Sequence, residues 1–323
     1  MVQQAKLAVV CLILTLALMA QISEAANGGI ATYWGQYSDE TEGTLGEACA
    51  TKLYSYINIA SIAQFGDGND LVLNLAGHCT PPDCTHIGEQ IKTCQVLHGV
   101  KIFISLGGEN GNYNLTSPED AKHVADQLWD SYLGGTYSTA TLPFGDAVLD
   151  GVDFDLVGSN TKYDADLAYY LKAINQQGIK PVYLSAAPQC PYPDYYLQNA
   201  LDTGLFDYVW VQFYDNSPCE YSNVTGTAGL LSAWNTWTSK LKGSGKLFLG
   251  VPASIDAAST GYIPADVLNN EILPLIKATP KYGGIMVWNR YYDRLSNYSF
   301  AIIDFVKLKN NQQLPTMRMY QYE

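Results

Sequence analysis

The sequence is poor in basic residues. Its 323 residues include 18 Lys and Arg against 31 Asp and Glu, for a formal net charge of −13 at pH 7. Proteins that bind nucleic acid or an anionic membrane surface recruit clustered Lys and Arg, so neither partner is expected. Only 15% of the residues are charged whereas 47% are hydrophobic. This balance predicts a sizeable core and argues against long disordered segments.

Long apolar runs are absent after the first 25 residues. Residues 7–20 are almost entirely apolar, follow a single Lys, and precede small residues that end at Ala25. This pattern is typical of a secretory signal peptide and is too short to span a bilayer. We therefore predict a signal peptide over 1–25, one domain over 26–306 and a polar tail over 307–323. The predicted location is secreted or vacuolar, reached through the secretory pathway.

Cysteine usage agrees with that compartment. One of the seven cysteines lies in the predicted signal peptide, and the other six are Cys49, Cys79, Cys84, Cys94, Cys190 and Cys219. Six cysteines favour three disulfides among about 15 possible connectivities. The group His78, Cys79, Cys84 and His86 resembles a zinc ligand set, but an oxidising compartment favours a disulfide, so we expect neither a metal nor a cofactor. Three sequons are candidate glycosylation sites, at Asn114, Asn223 and Asn297.

Short apolar runs rich in β-branched residues recur along the chain from residue 28. The predicted strands are residues 28–35, 55–62, 101–108, 151–157, 181–187, 208–214, 246–253 and 283–289. Nearly continuous hydrophobicity is typical of parallel strands that are buried on both faces.

Helix signals lie between these strands. A capping-box pattern begins at Thr44, Ser117 precedes a Pro and two acids, and residues 163–178 and 263–279 also have helical patterns. The alternation, without a linker, predicts a single (β/α)8 barrel. A doubly wound open sheet is the alternative, but the first strand is not followed by the glycine spacing of a phosphate-binding turn.

Polar residues concentrate at the carboxyl ends of the predicted strands, where such barrels place their active sites. They are Tyr33, Gln36, Asp150, Asp153, Asp155, Gln212, Tyr214 and Trp288. Alternation along a strand puts Asp153 and Asp155 on one face, toward the barrel interior. Two interior carboxylates repel each other, so one of them should hold a proton or a strong donor. Because carboxylates are rarely buried without a partner, this pair indicates a functional site.

Five segments occur in an order that is specific to one family. They are GGIATYWGQ at 28–36, SLGG at 105–108, DGVDFD at 150–155, YVWVQFY at 208–214 and GGIMVW at 283–288. Together they resemble the plant class III chitinases of glycoside hydrolase family 18, over essentially the whole chain after the signal peptide. The resemblance implies the disulfides Cys49–Cys94, Cys79–Cys84 and Cys190–Cys219. It also implies a sugar cleft floored by Trp288 and lined by Tyr33, Gln212 and Tyr214.

The catalytic signature of that family is incomplete here. The family pattern D-x-x-D-x-D-x-E ends in a Glu that protonates the glycosidic oxygen while the N-acetyl oxygen of the substrate attacks the anomeric carbon. In this chain the pattern starts at Asp150 and ends at Val157, which has no proton to give. A positioned general acid contributes about 100- to 10,000-fold, so we predict no catalytic residue and a chain that is not an enzyme.

Three further positions depart from the family pattern. Ser61 stands where the resemblance implies a large aromatic residue, Glu109 where it implies a glycine, and Asp215 where it implies an Asn. Glu109 lies next to the fourth barrel strand, so it is also a candidate for a relocated acid.

Loss of the acid leaves the groups that hold a sugar intact. The sequence therefore predicts a lectin for N-acetylglucosamine-containing or N-glycan sugars, in which Trp288 stacks on a pyranose face. The residues predicted to bind the sugar are Tyr33, Gln36, Asp153, Asp155, Gln212, Tyr214 and Trp288. The alternatives are a xylanase-type glycosidase inhibitor, whose partner would be a glycosidase, a seed storage or calcium-sequestering protein, and a residual chitinase.

Overall fold

The computed structural model describes residues 28–135, 142–158, 161–174 and 180–307. The predicted signal peptide and all but the first residue of the predicted tail lie outside these ranges. The strands are β1 (Gly29–Trp34), β2 (Tyr56–Gly66), β3 (Asn69–Leu73), β4 (Lys101–Gly107), β5 (Asn112–Tyr113), β6 (Gly151–Asp155), β7 (Tyr183–Ala186), β8 (Tyr208–Gln212), β9 (Lys246–Pro252) and β10 (Tyr282–Trp288).

Helices follow most of the barrel strands. The α-helices are Asp39–Glu42, Leu45–Ala50, Thr85–His98, Pro118–Tyr132, Asp164–Ile174, Gln198–Leu201, Ala228–Lys240, Ala265–Val267, Leu273–Ile276, Arg290–Ser296 and Tyr298–Lys307. A 3-10 turn at Thr161–Tyr163 and a π-helical turn at Leu268–Ile272 complete the helical segments of the described ranges.

Eight parallel strands close into a barrel. Around the barrel the order is β1, β2, β4, β6, β7, β8, β9 and β10, and β10 pairs back with β1. At the closure Gly29 lies opposite Gly284, and a Cβ on Gly284 would come within 1.8 Å of the Gly29 carbonyl oxygen. The prediction of a single (β/α)8 barrel is confirmed.

The predicted helix starts form as the sequence indicates. The Thr44 hydroxyl accepts from the Glu47 N–H while the Glu47 carboxylate accepts from the Thr44 N–H, both at 3.1 Å. The Ser117 hydroxyl accepts from the Asp120 N–H at 3.1 Å, ahead of Pro118 at the first helical position. These bonds satisfy amide groups that have no partner within their helices.

Two predicted helices differ in extent. The helix predicted over 163–178 runs from Asp164 to Ile174, and residues 175–179 lie outside the described ranges. The helix predicted over 263–279 is broken into an α turn and a π turn ahead of Pro274, which itself lies in a second α turn at Leu273–Ile276. Because proline has no N–H, it cannot continue the regular i→i−4 ladder, and the chain accommodates it with a wider turn.

Aromatic residues fill the interior of the barrel below its carboxyl end. They include Tyr56, Phe103, Tyr208, Trp210 and Phe248, and the Tyr208 and Trp210 rings stack with centroids 5.5 Å apart. A second, larger core lies between the strands and the surrounding helices. The barrel interior is therefore a packed core and not a pore, and a ligand site is expected at the carboxyl ends of the strands.

Three disulfides brace the periphery, with the pairing that the family resemblance implies. They are Cys49–Cys94, Cys79–Cys84 and Cys190–Cys219. Cys190–Cys219 joins the segments that follow the carboxyl ends of β7 and β8. No helix within the described ranges is long and apolar enough to cross a bilayer.

Candidate functional site

A cleft of about 590 Å³ opens at the carboxyl ends of the barrel strands. Among the residues predicted to bind sugar, five line it: Gln36, Asp155, Gln212, Tyr214 and Trp288. The remaining lining residues are Gly108, Glu109, Asn110, Val157, Gln189, Asp215, Asn216, Asp256, Ala257, Ala258 and Ser259. The other two predicted residues, Tyr33 and Asp153, do not line the cleft and are buried.

Asp153 is a fully buried anchor inside the barrel. Its carboxylate accepts hydrogen bonds from four side chains on four different strands, at 2.6–2.9 Å: the hydroxyls of Tyr33, Ser105 and Ser185 and the indole N–H of Trp210. Burial raises the pKa of Asp153, and the four donors oppose that shift. The residue ties four strands together rather than presenting an oxygen to the cleft.

Asp155 is the carboxyl group that faces the cleft. It lies two residues along the same strand and is 8% exposed. Its hydrogen bond from the Gln212 amide is long, at 3.5 Å, because that amide also donates to the Ala187 carbonyl at 2.9 Å. Burial and the neighbouring Asp153 raise the pKa of Asp155 to about 8. At neutral pH Asp155 therefore carries a proton that it can donate to a ligand oxygen.

Tyr214 and Trp288 complete the floor of the cleft. Tyr214 is 5% exposed, and burial together with Asp155 raises the pKa of its hydroxyl well above the usual value. The hydroxyl thus stays protonated and can donate. The Trp288 ring is partly exposed and packs against Tyr33 with centroids 5.2 Å apart. Asn289 donates to the Gln36 side chain at 3.0 Å, which orients Gln36 at the cleft wall.

Val157 lies two residues past the end of β6, at the edge of the cleft. Its N–H donates to the Tyr113 hydroxyl at 2.9 Å, and its carbonyl accepts from that hydroxyl at 2.7 Å. The Tyr113 ring in turn stacks on Phe65, centroids 5.1 Å apart. Sequence reasoning missed Tyr113 because its position depends on the pairing of the two-residue strand β5 with β2, which leaves no periodic signal.

Asp215 holds a loop over the cleft. Its carboxylate accepts from the N–H groups of Ser259 and Thr260 at 2.8 and 2.9 Å, and its own φ is +54°. Residues 256–259 of that loop line the cleft. The sequence flagged Asp215 as a departure from the family pattern, and the structure gives it a local bracing contact.

A smaller pocket of about 250 Å³ adjoins the cleft. The two share Gln36, Gly108, Glu109 and Asn110. Ser61, where the family pattern implies an aromatic residue, lies at this pocket and donates to the Gly107 carbonyl at 2.9 Å. The small side chain leaves the pocket open, and the exposed Glu109 stands on the border between pocket and cleft.

Comparison with known proteins identifies relatives over the full chain. A family model described as glycosyl hydrolases family 18 matches residues 29–262. An endochitinase of Ziziphus mauritiana, Ziz m 1.0101, is 49% identical over 334 residues, which cover 100% of this chain and 99% of that protein. An acidic endochitinase of Vitis vinifera is 50% identical over 295 residues, 90% of this chain and 96% of that protein.

Solved structures of three different kinds are also similar. The ICChI chitinase from Ipomoea carnea has a TM-score of 0.81 and 45% identity, covering 86% of this chain and 100% of that one. A xylanase and alpha-amylase inhibitor protein, XAIP-II from Scadoxus multiflorus, has a TM-score of 0.80 and 36% identity, covering 85% and 97%. A tamarind chitinase like lectin has a TM-score of 0.75 and 34% identity, covering 85% and 98%.

These relatives correct one prediction from the sequence. The prediction that the chain is not an enzyme is wrong, since five relatives of 49–50% identity are named endochitinases and point to an active enzyme. That prediction took the missing carboxyl at Val157 as sufficient by itself. The cleft holds other carboxyl groups, of which Asp155 is protonated at neutral pH.

Proposed function

Because the chain belongs to glycosyl hydrolase family 18, we propose that its cleft binds a chitin-type oligosaccharide. The observation that carries this proposal is the floor of the cleft, where a protonated carboxyl at Asp155, the Tyr214 hydroxyl and the Trp288 ring lie together. Sugar sites combine one stacking surface with a few well-placed polar groups. The relatives named chitinase, endochitinase and chitinase like lectin support the same ligand class.

Each group on the floor has a specific role. Trp288 stacks on the apolar face of one pyranose. Asp155 and Tyr214 donate to the N-acetyl carbonyl oxygen of that unit, and Gln36 and Gln212 bond its neighbours' hydroxyls. Asp153 and Tyr33 act from below, since they position the strand ends and do not reach the cleft. A protonated Asp155 can donate a hydrogen bond to a neutral N-acetyl group. An ionised Asp155 would instead place an unpaired charge in a buried site.

Hydrolysis of the bound oligosaccharide is the second candidate function, which the named endochitinases favour. In the substrate-assisted reaction the N-acetyl oxygen forms a bond to the anomeric carbon, the bond to the leaving sugar breaks, and the leaving oxygen takes a proton. With Val157 just past the end of β6, the carboxyl groups at the cleft that are not held by backbone donors are Asp155, Glu109 and Asp256. None of them occupies the position of the family acid, so we expect turnover about 100- to 10,000-fold below a relative that retains it.

Isothermal titration calorimetry with the fully N-acetylated chitin tetrasaccharide tests the binding proposal. The wild type should bind, and Tyr214→Phe should weaken binding about fivefold, the worth of one ordinary hydrogen bond. Tyr169→Phe is a matched control, because Tyr169 is 65% exposed on a helix outside the barrel. Absence of wild-type binding, or equal loss in both variants, would contradict the proposal.

Glycosidase inhibition through surface loops is favoured only by the likeness to XAIP-II, at 36% identity. It is tested by adding the protein to a xylanase and to an α-amylase and measuring residual activity. Inhibition that survives Trp288→Ala would locate that function outside the cleft. We also propose that the chain enters the secretory pathway, which the three disulfides support. Amino-terminal sequencing of the purified protein tests that proposal.

A further inference from the structure

Glu109 lies at the cleft but takes no part in the sugar contacts proposed above. It lies two residues past the end of β4, after Gly107 and Gly108, whose φ values are +101° and +90°. Its carboxylate is exposed and makes no hydrogen bond or ion pair with another described residue. It borders both the cleft and the adjoining pocket, so a ligand that extends from one into the other must pass it.

The charge around Glu109 is of one sign. The residues that line the two pockets include the carboxyl groups of Glu109, Asp155, Asp215 and Asp256, and none of these lining residues is Lys, Arg or His. Asp215 is occupied by backbone donors of the loop it braces, and Asp155 faces the floor. Asp256 lines the cleft but not the smaller pocket, so Glu109 is the carboxylate at the entrance to that pocket. The net charge of the chain is −13.

A neutral N-acetylated sugar gains little from such a charge, whereas a cationic sugar gains directly from it. The cation that a chitin-type chain can carry is the ammonium group of a unit that has lost its acetyl group. The smaller pocket has room for such a unit, because Ser61, Ala63 and Ala76 contribute only small side chains to its wall.

We propose that Glu109 is a specificity-determining residue that makes the site select partly de-N-acetylated chitin oligosaccharides. An N-acetylated unit lies over Asp155, and a glucosamine unit in the adjoining pocket places its ammonium group against the Glu109 carboxylate. The inference deepens the proposed sugar-binding function and rests on it.

Calorimetric titrations with two tetrasaccharides of equal length test this selectivity. One is fully N-acetylated, and the other lacks a single acetyl group at a terminal unit; both are titrated at mildly acidic pH and low ionic strength. The wild type should bind the amine-bearing ligand about fivefold more tightly, as expected for one partly exposed ion pair. That preference should shrink at high salt, because exposed charges are screened.

Glu109→Gln should remove the preference while it leaves the affinity for the fully N-acetylated ligand unchanged. Glu271→Gln is the matched control, since Glu271 is an exposed acid on the outer helical layer and its replacement should change neither affinity. Equal wild-type affinity for the two ligands, or a preference that persists in Glu109→Gln, would overturn the inference and leave the proposed function standing. Binding of neither ligand would overturn both.

Discussion

A glutamate at position 157 should raise the hydrolytic activity of this chain. Position 157 lies two residues beyond Asp155, just past the end of β6, and Val157 already lines the cleft beside that carboxyl group. Its backbone N–H and carbonyl are both fixed by the Tyr113 hydroxyl, at 2.9 and 2.7 Å. A new side chain should therefore project into the open cleft without moving the strand end.

The magnitude follows from what a proton donor contributes. A positioned general acid accelerates bond cleavage about 100- to 10,000-fold, or roughly 2.7–5.4 kcal/mol of barrier. The cost to folding should be small. Val157 is only partly buried, so its loss should lower the free energy of unfolding by less than about 1.5 kcal/mol.

The assay is chromatographic measurement of the products released from the fully N-acetylated tetrasaccharide. Val157→Gln is the matched control, because glutamine has nearly the shape of glutamate but no acidic proton. Calorimetry on both variants should show unchanged binding of the intact ligand. If Val157→Glu binds the ligand normally but gains less than about tenfold, or if the Gln variant gains equally, the position does not carry the missing acid.

Three further outcomes follow from the buried titratable groups. The affinity of the wild type for the N-acetylated tetrasaccharide should fall as the pH rises through about 8, because Asp155 then loses the proton that it donates. Calorimetric titrations across that pH range should show no such fall for Asp155→Asn. Asp153→Ala should lower the free energy of unfolding in urea by about 3 kcal/mol or more, since it leaves four buried donors unpaired. Burial lowers the pKa of His78, but hydrogen bonds to Glu42 and Asp39 outweigh it and raise that pKa overall. The stabilisation from protonated His78 is complete below the pKa of histidine in the unfolded chain, about 6.5, and is lost as the pH rises through the pKa of His78 in the folded protein. The melting temperature of the wild type should therefore fall more steeply over that pH range than the melting temperature of His78→Gln.

The barrel and the central acidic pair could be predicted from sequence because both depend on short-range periodicity. Continuous apolar runs indicated eight buried strands, and two-residue alternation placed Asp153 and Asp155 on one interior face. The depth of each side chain could not be predicted in this way. Asp153 and Tyr33 lie beneath the cleft because the barrel interior closes over them, with donors from four strands around the carboxylate.

Contacts between segments that are distant along the chain also could not be predicted from the sequence. The hairpin of β2 and β3 turns at Asp67 and Gly68, both with positive φ, and no strand was predicted over the residues of β3. Tyr113 reaches Val157 through a strand of two residues. The prediction that the chain is not an enzyme was wrong for a different reason. It rested on the missing carboxyl group at Val157 alone and gave too little weight to the other carboxyl groups that line the cleft.

The sugar-binding role of the cleft is tested most directly by a glycan-array screen of the purified protein beside Trp288→Ala. Tyr169→Ala is the exposed aromatic control, and melting temperatures verify folding. The wild type and the control should bind chitin-type oligosaccharides selectively, and Trp288→Ala should lose that binding. Binding that survives in folded Trp288→Ala, or a wild type that binds no chitin-type glycan, would contradict the claim that the cleft is the sugar-binding site.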